Sequence, residues 1–259
     1  MKKRIVSGVV ITIITVPLCL IGSLAFKIFC FLLGSFCLKE IFLLKEHHKR
    51  IPIGMEFISL LNFFLILFLD NEVLLWNLKE FVILTLSLLL PSLFYKKDYE
   101  AHDAIYLSTM VLIFGIVFRT LTFVRNRGLW YLIYLGCIPI FTDIFAMLFG
   151  NFMGKHKLIP RISPGKTIEG SVGGSVVATL LATLVYFYFI HEAALVPVLG
   201  MTLCLSVVSQ FSDLIFSKIK RENGIKDFGN LIPGHGGVLD RMDSLMLVTL
   251  TYLVFLEFI

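Results

Sequence analysis

The chain has 259 residues, 58% of them hydrophobic and 16% charged, with a mean hydropathy of +0.91 and a formal net charge of +5. Soluble domains run about 45–50% apolar and roughly 25% charged, so the composition excludes a water-soluble globule, and a chain this apolar cannot stay disordered. The expected fold is all-α: a polytopic transmembrane helical bundle forming one membrane domain.

A bilayer core needs about 20 apolar residues per helix, and nine stretches qualify in chain order. They are Ile5–Phe26, Ile28–Leu44, Met55–Leu69, Val73–Phe94, Ala104–Phe123, Leu129–Phe149, Ser171–Ile190, Ala194–Phe216 and Met242–Ile259. Only Lys27 separates the first two. Lys2, Lys3 and Arg4 precede an apolar run without an A-x-A-like site, so the first stretch reads as an uncleaved span rather than a secretory signal. Cys19, Cys30, Cys37, Cys137 and Cys204 all lie in apolar runs with no CxxC and read as small buried hydrophobes.

The distribution of Lys and Arg orients these spans. With the N-terminus in the cytoplasm, 18 of the 23 basic residues fall on cytoplasmic ends, and Lys27, Lys79, Arg119, Arg125 and Arg127 fall outside. Residues 1–127 then form the N-terminal spans. Residues 128–259 form a C-terminal half with two long cytoplasmic loops, 150–170 and 217–243, rich in Gly, Lys and Pro. Irregular backbone at membrane depth is tolerated where protein or water surrounds it, so both loops are expected to line a cavity.

Ionisable residues within membrane spans cost about 2.5–3.5 kcal/mol each and are functional candidates by default. Asp143 lies inside the sixth span, Asp213 in the last turn of the eighth, and Asp240 and Asp243 open the ninth on one helix face. Pairing with a base such as Arg241 is the plain alternative for any one of them; several on one membrane side argue for a site. Carboxylate oxygens suit Mg²⁺ and similar phosphate-binding cations. Lys218, Lys220, Arg221 and Lys226 stand beside them, with Lys155, Lys157, Arg161 and Lys166 on the other loop and Gly234, Gly236 and Gly237 between. Metal-binding carboxylates, cationic clamps and close-approach glycines are the parts of a phosphoryl-transfer site.

Ser163-Pro164-Gly165-Lys166-Thr167 holds a Gly-Lys-Thr but has Pro160 where a P-loop needs its first glycine. It reads instead as an N-cap at Ser163 with Pro at the first helical position. Gly150/Gly154 and Gly170/Gly174 have small-xxx-small spacing, which reads as helix packing.

Ser217-Lys218-Ile219-Lys220-Arg221, Lys226-Asp227, Gly229, Ile232-Pro233, His235-Gly236-Gly237-Val238 and Asp240-Arg241-Met242-Asp243 form one long pattern. It resembles the signature of the phosphatidate cytidylyltransferases (CDP-diacylglycerol synthases). The stretch from Asp143 through Gly154-Lys155-His156-Lys157-Leu158, Ile162-Ser163-Pro164, Lys166-Thr167 and Glu169-Gly170 is similar to the same family, so the likeness covers roughly the C-terminal half. The chain departs from the family pattern at Gly165, where a lysine is usual, and at Met147 and Asn151, where an aromatic residue and an arginine are common.

The resemblance implies transfer of CMP from CTP to phosphatidate, giving CDP-diacylglycerol and pyrophosphate, by an integral protein of the cell inner membrane with its active site facing the cytoplasm. It implies Mg²⁺ as cofactor, with a second cation and a homodimer left open, and no nucleic-acid partner. It favours Asp213 and Asp240 as main metal ligands, with Asp243 and Asp143 as further ligands or supports. Lys220, Arg221, Lys226 and Arg241 would hold phosphates, with Lys166 added to the clamp. Asp227 would orient Lys226 or bind metal, while Ser217, His235, Gly236 and Gly237 would contact substrate. The chemistry is coherent: a phosphate monoester has a second pKa near 6, so the lipid nucleophile is already ionised and needs cations to approach a triphosphate more than it needs a base.

A CDP-alcohol phosphotransferase would need two further Asp after Asp243, where the chain runs apolar. A transporter would place its carboxylates at the membrane midplane rather than on one side.

Overall fold

The computed structural model describes residues 2–46, 51–69, 78–95, 99–234 and 236–256, the side chains of 2–6, 45, 46 and 78–80 excepted. Nine α-helices run through the described residues: α1 Lys2–Ile21, α2 Ser23–Glu46, α3 Ile53–Phe68, α4 Leu78–Leu89, α5 Ala101–Arg127, α6 Leu129–Met153, α7 Ile168–Phe189, α8 Leu195–Glu222 and α9 Leu239–Phe255. A short 3₁₀ turn, Leu90–Leu93, extends α4, and an antiparallel hairpin of β1 (Lys157–Ile159) and β2 (Ser163–Thr167) separates α6 from α7. Among the described residues, α5, α6, α7 and α8 are long and apolar enough to cross a membrane. At 1.5 Å per residue, 22–28 residues reach about 33–42 Å, past a hydrocarbon core of about 30 Å.

The chain divides into two compact units. One comprises Met1–Asn126 with Phe228–Asp240, the other Arg127–Asp227 with Arg241–Ile259.

In the first unit, the break between α1 and α2 falls at Gly22, whose φ of +66° is left-handed, and not at Lys27. A residue without Cβ adopts that conformation at little cost. Lys27 lies inside α2 with its Nζ 5.5 Å from the Phe68 ring centre. The carbonyls left over at the end of α1 are taken by Arg125, whose Nη2 donates to Leu20 O at 2.8 Å and whose Nε donates to Cys19 O. A basic side chain that closes a helix end in this way has a structural reason for its place there. The centre of the unit is aromatic: Phe63 stacks on Phe31 at 5.7 Å and meets the edge of Phe118 at 5.9 Å.

In the second unit, α6 packs along α7, and both pack on α8. The small-residue spacing predicted to serve helix packing does so. A Cβ on Gly174 would stand 2.6 Å from Ala146 N, and one on Gly170 would stand 2.5 Å from Ala146 O. Buried hydroxyls then join the three helices. Thr142 Oγ1 lies 2.7 Å from Ser206 Oγ, Ser206 donates to Ser175 Oγ at 3.2 Å, and Gln210 Nε2 donates to Ser175 Oγ at 2.7 Å and Ser171 O at 3.0 Å. Such bonds hold helices together where lipid offers no competing partner.

Boundaries in the second unit differ from the sequence expectation as well. Helix α8 continues six residues beyond Phe216 to Glu222, because Lys, Arg and Glu are good helix formers, and it ends where Gly224 takes φ +68°. Asp213 therefore lies more than two turns inside the helix rather than in its last turn. Helix α6 runs to Met153, so Asp143 is also deeper than its span boundary suggested. The segment Ser163–Thr167 is a strand, and the cap of α7 is Thr167, whose Oγ1 accepts the Gly170 N–H at 3.1 Å; Ser163 caps nothing, because the hairpin claims it.

Candidate functional site

Within the second unit, α6, α8 and the hairpin enclose a cavity of about 410 Å³ lined by Asp143, Asp213, Lys166, Ser163, Thr167 and Ser171, together with Ala146, Met147, Gly150, Asn151 and Gly165. Strand β2 projects Lys166 to Asp213, with Nζ 2.7 Å from Oδ2. Both side chains are about one-quarter exposed, so the pair is shielded but reachable. Asp143 is exposed to the same space from α6.

The hairpin that delivers Lys166 is itself anchored at its base. Glu169, in the first turn of α7, accepts the Lys155 N–H at 3.1 Å and the His156 N–H at 3.2 Å and pairs with His156 Nδ1 at 2.6 Å. The His156 ring, with the surrounding backbone N–H groups, holds the Glu169 carboxyl well below its ordinary 4.5, at about 2. Nothing in the sequence marked Glu169 for this role beyond its place in the motif.

A second charged group lies nearby in the same unit. Lys220 Nζ on α8 is 3.5 Å from Asp243 Oδ2 on α9, both side chains about 10% exposed. Ser212 Oγ donates to the Asp243 carbonyl, and Ser244 Oγ lies 3.4 Å from Asp143 Oδ2 and 3.5 Å from Asp243 Oδ1. Ser244 thus lies between the expected site residues Asp143 and Asp243, and Ser212 holds the Asp243 backbone. Neither serine stands out in the sequence, where each is one small residue on an apolar helix.

In the first unit, Asp240 uses one oxygen, Oδ2, to accept the N–H groups of Phe228 at 2.8 Å and Gly237 at 2.9 Å. The loop also turns on Gly234 and Gly236, at φ +80° and +88°, with a bridge between Ile232 and Gly236. The remaining expected contacts lie apart from the cavity: Arg221, Lys226, Asp227 and Arg241 are exposed, Ser217 is half-buried, and Arg221 Nη1 donates to Ile225 O at 3.2 Å. His235 lies outside the described residues. Of the described residues 217–227 and 241–243 in this second unit, none lines the cavity; of the loop 150–170, six do. The three departures from the family pattern, Met147, Asn151 and Gly165, all line it.

Among the described residues, no three His, Cys, Asp or Glu side chains gather to hold a metal ion unaided. Mg²⁺ is commonly held by one or two carboxylates and the phosphates of a substrate, keeping several waters. Asp143 and Asp213, two hard oxygen donors in one cavity with a lysine as their present counter-charge, fit that mode of binding.

Apolar helices long enough to cross a bilayer, with acidic and basic side chains collected around a cavity between two of them and the hairpin, define a membrane protein with a charged internal site. Residues 2–259 match the model of the cytidylyltransferase family, and the chain belongs to that family. It is 36% identical over 253 residues to a phosphatidate cytidylyltransferase of Staphylococcus saprophyticus, 96% of each chain being covered. Proteins of the same name from Staphylococcus aureus and Staphylococcus haemolyticus are 36% and 34% identical over 252 residues, again covering 96% of each.

Proposed function

We propose that this nucleotidyltransferase moves CMP from CTP to phosphatidate, forming CDP-diacylglycerol and pyrophosphate at the cytoplasmic face of the inner membrane, with nine spans and a cytoplasmic N-terminus. The name shared by its relatives supports the substrates, and the excess of Lys and Arg on one side supports the orientation. The observation that carries the reading is the Lys166–Asp213 pair beside Asp143 in one cavity.

The bond formed joins a phosphatidate oxygen to the α-phosphorus of CTP, and the bond broken releases pyrophosphate. The difficulty is charge, because both reactants are anions. In the proposal Lys166 leaves Asp213 for a phosphate, so the ammonium faces the triphosphate and the carboxylate is freed. Asp213 and Asp143 would then hold Mg²⁺, with Asp240 and Asp243 as further candidates. When bound, the ion neutralises and aligns the phosphates. Lys220 keeps Asp243 charge-balanced, and Arg221, Lys226 and Arg241, exposed on the surface, are suited to receive anionic groups. Asp227, Ser217, His235, Gly236 and Gly237 stay in the proposal as substrate-side residues of the motif.

The test is purified protein with CTP, phosphatidate and Mg²⁺. Pyrophosphate release should require all three, and Asp213→Asn should lower turnover by a factor of at least about 100, the scale of losing a group that aligns reactants. Turnover by Asp213→Asn at the wild-type rate would remove Asp213 from the site.

A further inference from the structure

We propose that Glu40 is a positioning residue for the reaction, holding from α2 the loop 228–240 that delivers Asp240 and opens α9. The proposal rests on the reading of Asp240 and the first turn of α9 given above.

Glu40 lies 198 residues from its nearest loop partner and is 5% exposed, among the buried apolar residues Cys37, Leu38, Ile41 and Phe42 of its own helix. A carboxylate buried there is costly unless its oxygens are satisfied, and they are. Oε1 accepts the Val238 N–H at 2.8 Å and Oε2 accepts the Leu239 N–H at 2.8 Å. Leu239 is the first residue of α9, so Glu40 takes N–H groups that the helix leaves unpaired and places negative charge at its positive end.

The loop is shaped to receive this group. A Cβ on Gly229 would lie 2.6 Å from Oε1, and one on Gly237 would lie 2.5 Å from both carboxylate oxygens. Two motif glycines thus have a reason for lacking a side chain other than closeness to a phosphate. Asp240 gathers the Phe228 and Gly237 N–H groups from within the loop, and Ser7 Oγ on α1 donates to Pro233 O at 3.0 Å. The two carboxylates together fix four backbone N–H groups, one of which belongs to Gly237 beside Glu40. Moving Glu40 therefore moves the backbone on which Asp240 is built.

The requirement is for two acceptor oxygens. Glutamine has one, and its amide would direct N–H toward N–H, so Glu40→Gln keeps size and loses one bond. Gly237→Ala keeps the charge and drives one methyl into the carboxylate, which gives a second, independent route to the same disturbance if Glu40→Gln fails to accumulate in folded form.

The experiment uses the full chain in lipid nanodiscs, comparing wild type, Glu40→Gln and Gly237→Ala. Hydrogen exchange of peptides covering 228–240 should speed in both variants while peptides of α7 keep the wild-type rate. The kcat for CTP and phosphatidate should fall about 10–100-fold, the usual effect of losing a residue that orients a ligating group, with KM for CTP changed far less. Unchanged loop exchange in both variants would overturn the proposal, as would faster loop exchange with a wild-type kcat. An inactive wild type would defeat the functional reading instead, and loop exchange would still decide whether Glu40 holds the loop.

Discussion

Lys166 and Asp213 stand 2.7 Å apart, each side chain about one-quarter exposed, and in the proposed reaction a phosphate takes the place of the carboxylate. The neighbouring pair, Glu169 and His156, is of another kind, since it fastens the hairpin rather than facing the cavity. Because the folded Glu169 carboxyl is lowered from 4.5 to about 2, its contribution is complete above pH 4.5 and is lost as the pH falls through about 2. Protection of the Lys155 and His156 amides against hydrogen exchange should therefore weaken across that window in the wild type. Glu169→Gln should exchange faster at pH 5 and show much less change toward pH 2. Equal pH dependence in the two proteins would assign the anchoring to something other than Glu169.

The helices were the legible part of the sequence, and their ends were not. Apolar stretches located the nine described helices, four of which are long and apolar enough to cross a membrane, yet α8 runs on through Ser217–Glu222 because helix propensity in a polar stretch is invisible to a reading based on hydrophobicity. The hairpin was missed for a related reason: three and five residues of strand carry too little periodicity to register, and Ser163-Pro164 imitates a helix start. Asp143, Asp213 and Lys166 were found because charge is rare here. Glu40 was not, since it adjoins Lys39 near the end of an apolar run and resembles an ordinary boundary residue. Helix packing gives the clearest prediction at this scale. Gly174→Leu would force side-chain atoms into the Ala146 backbone, 2.6 Å from where even a Cβ would lie, an overpacking effect of about 1–3 kcal/mol or more. The melting temperature in detergent should drop by several degrees, whereas Gly200→Ala, where a Cβ meets nothing within 4 Å, should leave it unchanged. A wild-type melting temperature for Gly174→Leu would mean that α6 and α7 do not approach so closely.

For the molecule as a whole, the apolar helices form a scaffold, and three of the scarce charges, Asp143, Lys166 and Asp213, line one cavity. The signature motif is divided between the two compact units: Phe228–Asp240 belongs with Met1–Asn126, while the stretches 217–227 and 241–243 belong with the other. No reading of a linear pattern could show that division, which depends on contacts such as Glu40 with Leu239 that join distant stretches of chain. Transfer of a nucleotidyl group, and not of a terminal phosphate, to the lipid is the step that defines the proposed reaction. It is tested most directly by giving the purified protein phosphatidate, Mg²⁺ and CTP labelled with ³²P at either the α or the γ position. Label from the α position should appear in the organic-extractable lipid, and label from the γ position should remain in water as pyrophosphate. Lipid labelled from the γ position, or lipid left unlabelled by both, would contradict it.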